Sequence, residues 1–223
     1  FKEFKESHLT FHIGNRSIWR EEKYFDYFIY NKNEAYNILR EIRKEFGTLD
    51  KLEKLDYLKD FNLESQEGHK FIFIAGLHKS GTSLLFKILR EHPSISGFNN
   101  TTVPQDEGQF LQTIFPLAKN FGGPGRFGFH PNMHITENSL LVTEENKHKL
   151  FSEWARFWDI SQPILLEKSP PNLLKTRFLQ SIFPQSYFIA ITRHPVAVSY
   201  ATQKWSNTSI ESLLNHWVYC YNI

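Results

Sequence analysis

An α/β fold with a central parallel sheet flanked by helices is predicted by three observations. Phe71 to Ala75 is an uninterrupted apolar run bracketed by Lys70 and Gly76, and Ile164 to Leu166 and Tyr187 to Thr192 are two further short runs of the same kind. Continuous apolar runs of that length belong to strands buried on both faces. Between them the period becomes helical: Leu84, Leu85, Ile88 and Leu89 after the first run, and Leu173, Leu174, Phe178, Leu179 and Ile182 after the second. Strand and helix alternate as in right-handed βαβ crossovers, and such sheets bind ligands at the carboxyl ends of their strands.

In chain order, residues 1–32 are rich in Phe, Lys, Glu and Tyr without a clean period and read as a surface-bound arm. Ala35, Ile38, Leu39, Ile42 and Phe46 form one apolar stripe of a helix from Asn33 to Phe46, stopped by Gly47. A second helix is expected near Leu52 to Leu58, and Ser65 to His69 is a polar linker. We therefore divide the chain into residues 1–68, an arm and helices packing on the core, and residues 69–223, the domain that carries the chemistry. Within the latter, the helix after the first strand ends at His92-Pro93, Ser94 to Phe98 is extended and Asn99 to Gln105 is loop. Asp106 and Glu107 are expected to open a helix through Leu117, two acids at the positive end of its dipole. The stretch 121–131 is too rich in Gly and Pro for regular structure and reads as a functional loop or lid, the alternative being a disordered connector. Thr143, with Asn146 and Lys147, opens a helix bearing Leu150, Phe151, Trp154 and Phe157; further helices are expected over 172–183 and 209–223.

Composition narrows the function classes. A chain of 223 residues with 16% aromatic residues, 21 of them Phe, suits one well-packed core. A net charge of +2 gives no support to nucleic-acid binding through bulk electrostatics. Cys220 is the only cysteine, which excludes an intrachain disulfide framework, and no tight His/Cys/carboxylate spacing suggests zinc. No apolar run is long enough for a membrane span and no leader is visible. The chain opens on Phe1 and closes inside a helical run with no stop signal, so we expect a processed form or fragment with sequence missing beyond Ile223. The compartment, cytoplasmic or the lumenal part of a membrane-anchored enzyme, and the oligomeric state stay open.

Three polar clusters fall at the ends of the three strands. The first is His78-Lys79-Ser80-Gly81-Thr82-Ser83, between strand and helix. A helix N-terminus presents unpaired N–H groups and a positive dipole, glycine allows close backbone approach, the hydroxyls add donors and Lys79 adds a full charge: this is a phosphate cradle. Its G-x-x-x-x-G spacing from Gly76 to Gly81 matches the nucleotide-triphosphate loop, but Thr-Ser follows where that motif needs Lys-[Ser/Thr], and the lysine precedes the second glycine. The plain alternative is a βα turn with glycines for tight packing. The second cluster is Glu167-Lys168-Ser169-Pro170, alternatively a solvated pair at a helix entry; the third is Arg193-His194-Pro195, alternatively a helix-terminus charge. There is no G-x-S-x-G elbow for a serine hydrolase.

The ordered set of three clusters, over about residues 70 to 205, resembles the sulfotransferases that use 3′-phosphoadenosine-5′-phosphosulfate (PAPS). The resemblance implies a three-layer P-loop-like domain that moves a sulfuryl group from PAPS to a hydroxyl or amine of an acceptor, carbohydrate, lipid or small alcohol, leaving 3′-phosphoadenosine-5′-phosphate (PAP). It assigns the 5′-phosphosulfate to Lys79 through Ser83 with His78 alongside, and the 3′-phosphate to Arg193. The family's serine eight residues beyond the arginine is Ala201 here, with Ser199 and Thr202 as the nearby hydroxyls, and its adenine-stacking aromatic is replaced by Leu84 and Leu85. Lys79 and Lys168 are expected to stabilise charge in an in-line transfer without a metal. A base is needed as well, and Asp106, Glu107, His130 and His134 are candidates; Glu107 is favoured because Asp106 is the better helix cap. The alternatives are a P-loop kinase with Glu167 holding magnesium, and a non-catalytic nucleotide-binding module.

Overall fold

In a computed structural model, residues 68–223 are described throughout, together with the backbones of two strands near the N-terminus. Six parallel strands form one sheet: β1 (His8–Ile13), β2 (Tyr27–Ile29), β3 (Lys70–Ala75), β4 (Ile95–Gly97), β5 (Ile164–Lys168) and β6 (Ser186–Arg193), in the order β2-β1-β6-β3-β5-β4. Within 1–32, read as an arm, the backbones of β1 and β2 thus extend the sheet beyond β6. The helices expected over 33–46 and 52–58 lie outside the described residues.

The helices are α1 (Thr82–Leu89), α2 (Glu144–Ala155), α3 (Thr176–Ile182), α4 (Pro195–Gln203) and α5 (Ile210–Asn222). From β3 the chain crosses to β4 past β5, and from β5 it returns to β6 past β3, in the opposite direction. Right-handed crossovers therefore place α1 and α3 on opposite faces. Thr143 caps α2 by accepting the Asn146 amide, as its sequence position suggests.

Strand alternation sends Phe71 and Phe73 to one face. There they meet Phe183 at ring-centroid distances of 4.5 and 5.6 Å, while Trp154 stacks on Phe183 at 5.8 Å. Such pairs add about 0.5–1.5 kcal/mol each beyond their area burial, which makes this aromatic layer the rigid floor of the domain. A second cluster joins Leu77, Phe127, Met133, Leu174, Val198 and Cys220 beyond the strand ends.

Three expectations are corrected. The segment after Asp106 is not an α-helix to Leu117 but single 3-10 turns, Pro104–Asp106 and Gly108–Phe110, followed by irregular backbone. Buried glutamines replace the helical ladder. Gln112 Oε1 accepts the Ile114 and Phe115 amides, its Nε2 donates to the carbonyls of Gln109 and Phe115, and Gln109 Oε1 accepts the Ala118 amide. The backbone is satisfied without a helix, as a buried segment requires. Second, the Gly/Pro-rich stretch is packed rather than lid-like: Phe127 is fully buried, and the Gly128 amide donates to His216 Nε2 at 3.0 Å. Third, the helix over 172–183 is broken at Lys175 into the 3-10 turn Pro170–Leu174 and α3: the Lys175 backbone is non-helical at φ −135° and its amide returns to the Asn172 carbonyl, three residues back.

Candidate active site

The phosphate cradle sits between the end of β3 and α1. Gly76 has φ +143°, and a Cβ there would lie 2.3 Å from the Ile191 carbonyl oxygen, so only glycine lets the loop leave β3 against β6. Lys79 (φ 69°) and Gly81 (φ 114°) complete the turn in positive-φ backbone. The Leu84 and Leu85 amides return to the Gly81 carbonyl and no side chain caps the turn. The N–H groups of Thr82 and Ser83 consequently have no acceptor within the helix. Ser80 and Thr82 are buried under the loop, while Ser83 is half-buried.

Lys79 reaches outward, its Nζ 3.0 Å from the centre of the exposed Trp205 ring, and desolvation together with Lys204 lowers its pKa. Arg193, three residues beyond the β3–β6 pair Ala75 and Ala190, donates from Nη1 to the Lys79 carbonyl at 3.0 Å. The first and third clusters are thereby joined directly. Helix α5 braces this junction from behind: Trp217 Nε1 donates to the Arg193 carbonyl at 3.1 Å, and the Tyr221 hydroxyl bridges the Leu77 amide and the Ile191 carbonyl. Their i,i+4 spacing puts both rings on one helix face. His78 stands edge-on to Phe127; burial first, then Lys168, His216 and Lys79, push its pKa down to about 3. Ser199 and Thr202 are buried and, with His78, Gly125 and His216, line a small cavity; neither His78 Nδ1 nor Ser199 Oγ has a hydrogen-bond partner among the described residues.

The second cluster is deeper. Lys168 is wholly buried, and its Nζ donates to Glu107 Oε1 at 3.1 Å and to the Gln105 carbonyl at 3.0 Å. Gln109 Nε2 donates to the other Glu107 oxygen at 2.6 Å. A buried pair of this kind is costly to break from one side, because the survivor is left charged and unpaired. Glu167, also wholly buried, is pushed up to about 7 by desolvation, against the lowering effect of hydrogen bonds from Ser169 and Asn172 and of the Lys168 charge. Behind it Lys175 is pushed down to about 7 by burial, its Nζ donating to the Pro171 carbonyl at 3.3 Å.

Of the other candidate bases, Asp106 is occupied. It accepts the Thr101 amide and hydroxyl and faces Arg90 at 3.4 Å; burial alone would raise its pKa, but these partners hold it below the usual carboxylate range. His130 is exposed and stacked on Phe121, and His134 is exposed. Sequence reasoning did not single out Trp205, Gln109, Lys175, Trp217 or Tyr221. The W-x-x-x-Y spacing of the last two signals a shared face, but nothing local signals what that face holds.

The comparison with known families fits this geometry. A sequence model described as the sulfotransferase family matches residues 72–223, well over half of the chain and all three strand-end clusters. No curated protein and no solved structure matches the chain. With a parallel sheet, a cradle after its first core strand and two further polar clusters at neighbouring strand ends, the chain belongs to the sulfotransferase family.

Proposed function

We propose that the protein transfers a sulfuryl group from PAPS to a hydroxyl or amine of an acceptor, a carbohydrate, lipid or small alcohol. The observation that carries this reading is the Arg193–Lys79 contact, which joins two clusters far apart in sequence into one cationic edge beside the cradle. The residues fit the donor. The Thr82 and Ser83 amides, with the Lys79 charge, suit a 5′-phosphosulfate, and the Arg193 guanidinium, with N–H groups besides the one given to the Lys79 carbonyl, suits a second phosphate.

The donor supplies an activated sulfuryl group whose S–O bond to the 5′-phosphate breaks as a bond to the acceptor forms and the acceptor's proton leaves. Lys79 is exposed enough to leave Trp205 and meet charge growing on the leaving phosphate, since an exposed cation–π contact is worth only about 0.5–1 kcal/mol. Lys168, wholly buried on Glu107, holds that carboxylate until a local opening on donor binding lets the ammonium exchange it for a sulfuryl oxygen. Glu107 Oε1, released, then accepts the acceptor's proton while Gln109 keeps Oε2 in place.

A magnesium-dependent kinase reading is disfavoured by Glu167. Its carboxylate is wholly buried and taken up by the Gly108 amide, the Ser169 hydroxyl and the Asn172 amide group, so it offers no oxygen to a cation at the cradle. The test is label transfer from PAPS across an acceptor panel in the presence of EDTA, with Glu107→Gln alongside. Transfer is expected without magnesium and about 10²–10⁴-fold slower in Glu107→Gln, with donor affinity retained. Strict magnesium dependence, or a Glu107→Gln variant as fast as the parent, contradicts the assignment.

A further inference from the structure

We propose that Glu167 is a positioning residue, holding Glu107 at the reaction centre through the Gly108 amide and tying the ends of β3 and β5 to the segment that carries Glu107. Its role rests on the reading of Glu107 as the base.

The contacts of Glu167 run to three separate elements. Oε1 accepts the Gly108 amide at 3.0 Å and the Ser169 hydroxyl at 2.6 Å, and Oε2 accepts the Asn172 side-chain amide. Asn172 Nδ2 also donates to the Ile74 carbonyl, two residues before Gly76, at 3.3 Å. One carboxylate therefore spans the end of β3, which launches the cradle, the end of β5, which carries Lys168, and the irregular segment that carries Glu107. All three partners are donors, and an acceptor-only carboxylate matches them.

The Glu107 segment has only a single 3-10 turn on either side of Glu107 to fix it, so its position depends on such ties. The Gly108 carbonyl accepts Trp154 Nε1 at 3.0 Å, and the Gln109 amide donates to Ser169 Oγ at 2.9 Å, the same hydroxyl that donates to Glu167. Residue 108 is pressed directly onto the carboxylate: a Cβ there would lie 2.5 Å from Glu167 Oε1 and 2.6 Å from its Cγ. Glu107 and Gly108 are adjacent, so moving the Gly108 amide moves the Glu107 carboxylate against Lys168. A base displaced by about an ångström loses its proton-transfer geometry while the phosphate cradle is untouched.

The experiment is a double-mutant cycle of Glu107→Gln and Glu167→Gln, read as label transfer from PAPS to the best acceptor of the panel, with PAP affinity and the crystal structure of Glu167→Gln measured in parallel. Expected are a fall in kcat of about 10–100-fold for Glu167→Gln with PAP affinity within about twofold, and no further loss when it is added to Glu107→Gln. In the crystal structure, Glu107 Oε1 is expected to have left Lys168. Losses that multiply in the double variant, or an unchanged Lys168–Glu107 contact with parental kcat, overturn the proposal. Should Glu107→Gln turn over normally, the base assignment fails, and the crystal structure alone then decides whether Glu167 holds Glu107. Should Glu167→Gln fail to fold, Gly108→Ala displaces the same contact with the charge kept. It is expected to lower kcat without changing PAP affinity, and parental kcat in that variant overturns the proposal.

Discussion

Lys79 is the residue whose environment says most about its task. Its backbone is held in positive φ and its carbonyl by Arg193, yet among the described residues its ammonium rests on an exposed indole rather than in a carboxylate pair. A charge parked on a weak partner can move at little cost when a stronger anion arrives. We expect Lys79→Ala to lower kcat more than it raises the Kd for PAP, because its charge matters most as the leaving oxygen becomes anionic. Steady-state kinetics with calorimetric PAP titration checks this; a normal kcat with only a raised KM would make Lys79 a binding residue alone. The setting of Lys79 between strand and helix was legible in the sequence, from the apolar run that ends at Ala75 and the helical spacing from Leu84 onward. Glu107 was singled out because it is the neighbour of a capping acid. In the structure Asp106 is taken by Thr101 and Arg90, while Glu107 is buried on Lys168.

Among elements, those with a strong period were readable and those organised by side-chain hydrogen bonds were not. Strands β3, β5 and β6 and helix α2 follow from apolar runs and a capping threonine. The 3-10 turns after Asp106 do not, because two buried glutamines standing in for backbone partners leave no periodic trace. Helix α4, short and opened by Pro195, carries the exposed Val196 and Tyr200 and lacks a clean apolar stripe. The β3–α1 turn has the most demanding backbone. Gly76→Ala is expected to destabilise the protein by roughly 1–3 kcal/mol and to abolish PAP binding, because the new methyl meets the Ile191 carbonyl in a φ that alanine rarely adopts. Denaturant unfolding measures the first and calorimetry the second; an unperturbed midpoint would mean that the loop can leave β3 by another path.

Across the whole molecule, buried charge collects at and behind the strand ends. Lys175 is the clearest instance, fully buried with a pKa pushed down to about 7. The native state then binds fewer protons than the unfolded chain from about pH 7 up to the ordinary lysine range, so this group makes stability rise with pH over that window. Lys175→Met is expected to raise the thermal midpoint at pH 7 and to flatten its rise between pH 7 and 9, since an apolar side chain of similar length removes the desolvation cost. Below pH 6.5 the sign is the same: the unfolded chain's histidines protonate while His78 and His216, pushed down to about 3 and 4 by burial, stay neutral, so stability falls further as the pH drops. Thermal melts of the parent and Lys175→Met across pH 5–9 check both; parallel curves from pH 7 to 9 would show that Lys175 is not the group responsible.

The most direct measurement is calorimetric titration of PAP into the parent protein and into Arg193→Ala, with adenosine 5′-phosphosulfate as the control lacking a 3′-phosphate. The parent should bind PAP and gain roughly 2.7 kcal/mol of stability at a hundred times its Kd. Arg193→Ala should lose about 1.5–3 kcal/mol of PAP binding and far less of the control's. No binding of PAP by the parent at any accessible concentration would contradict a PAPS-dependent sulfotransferase, and equal losses for both nucleotides would remove Arg193 from the 3′-phosphate.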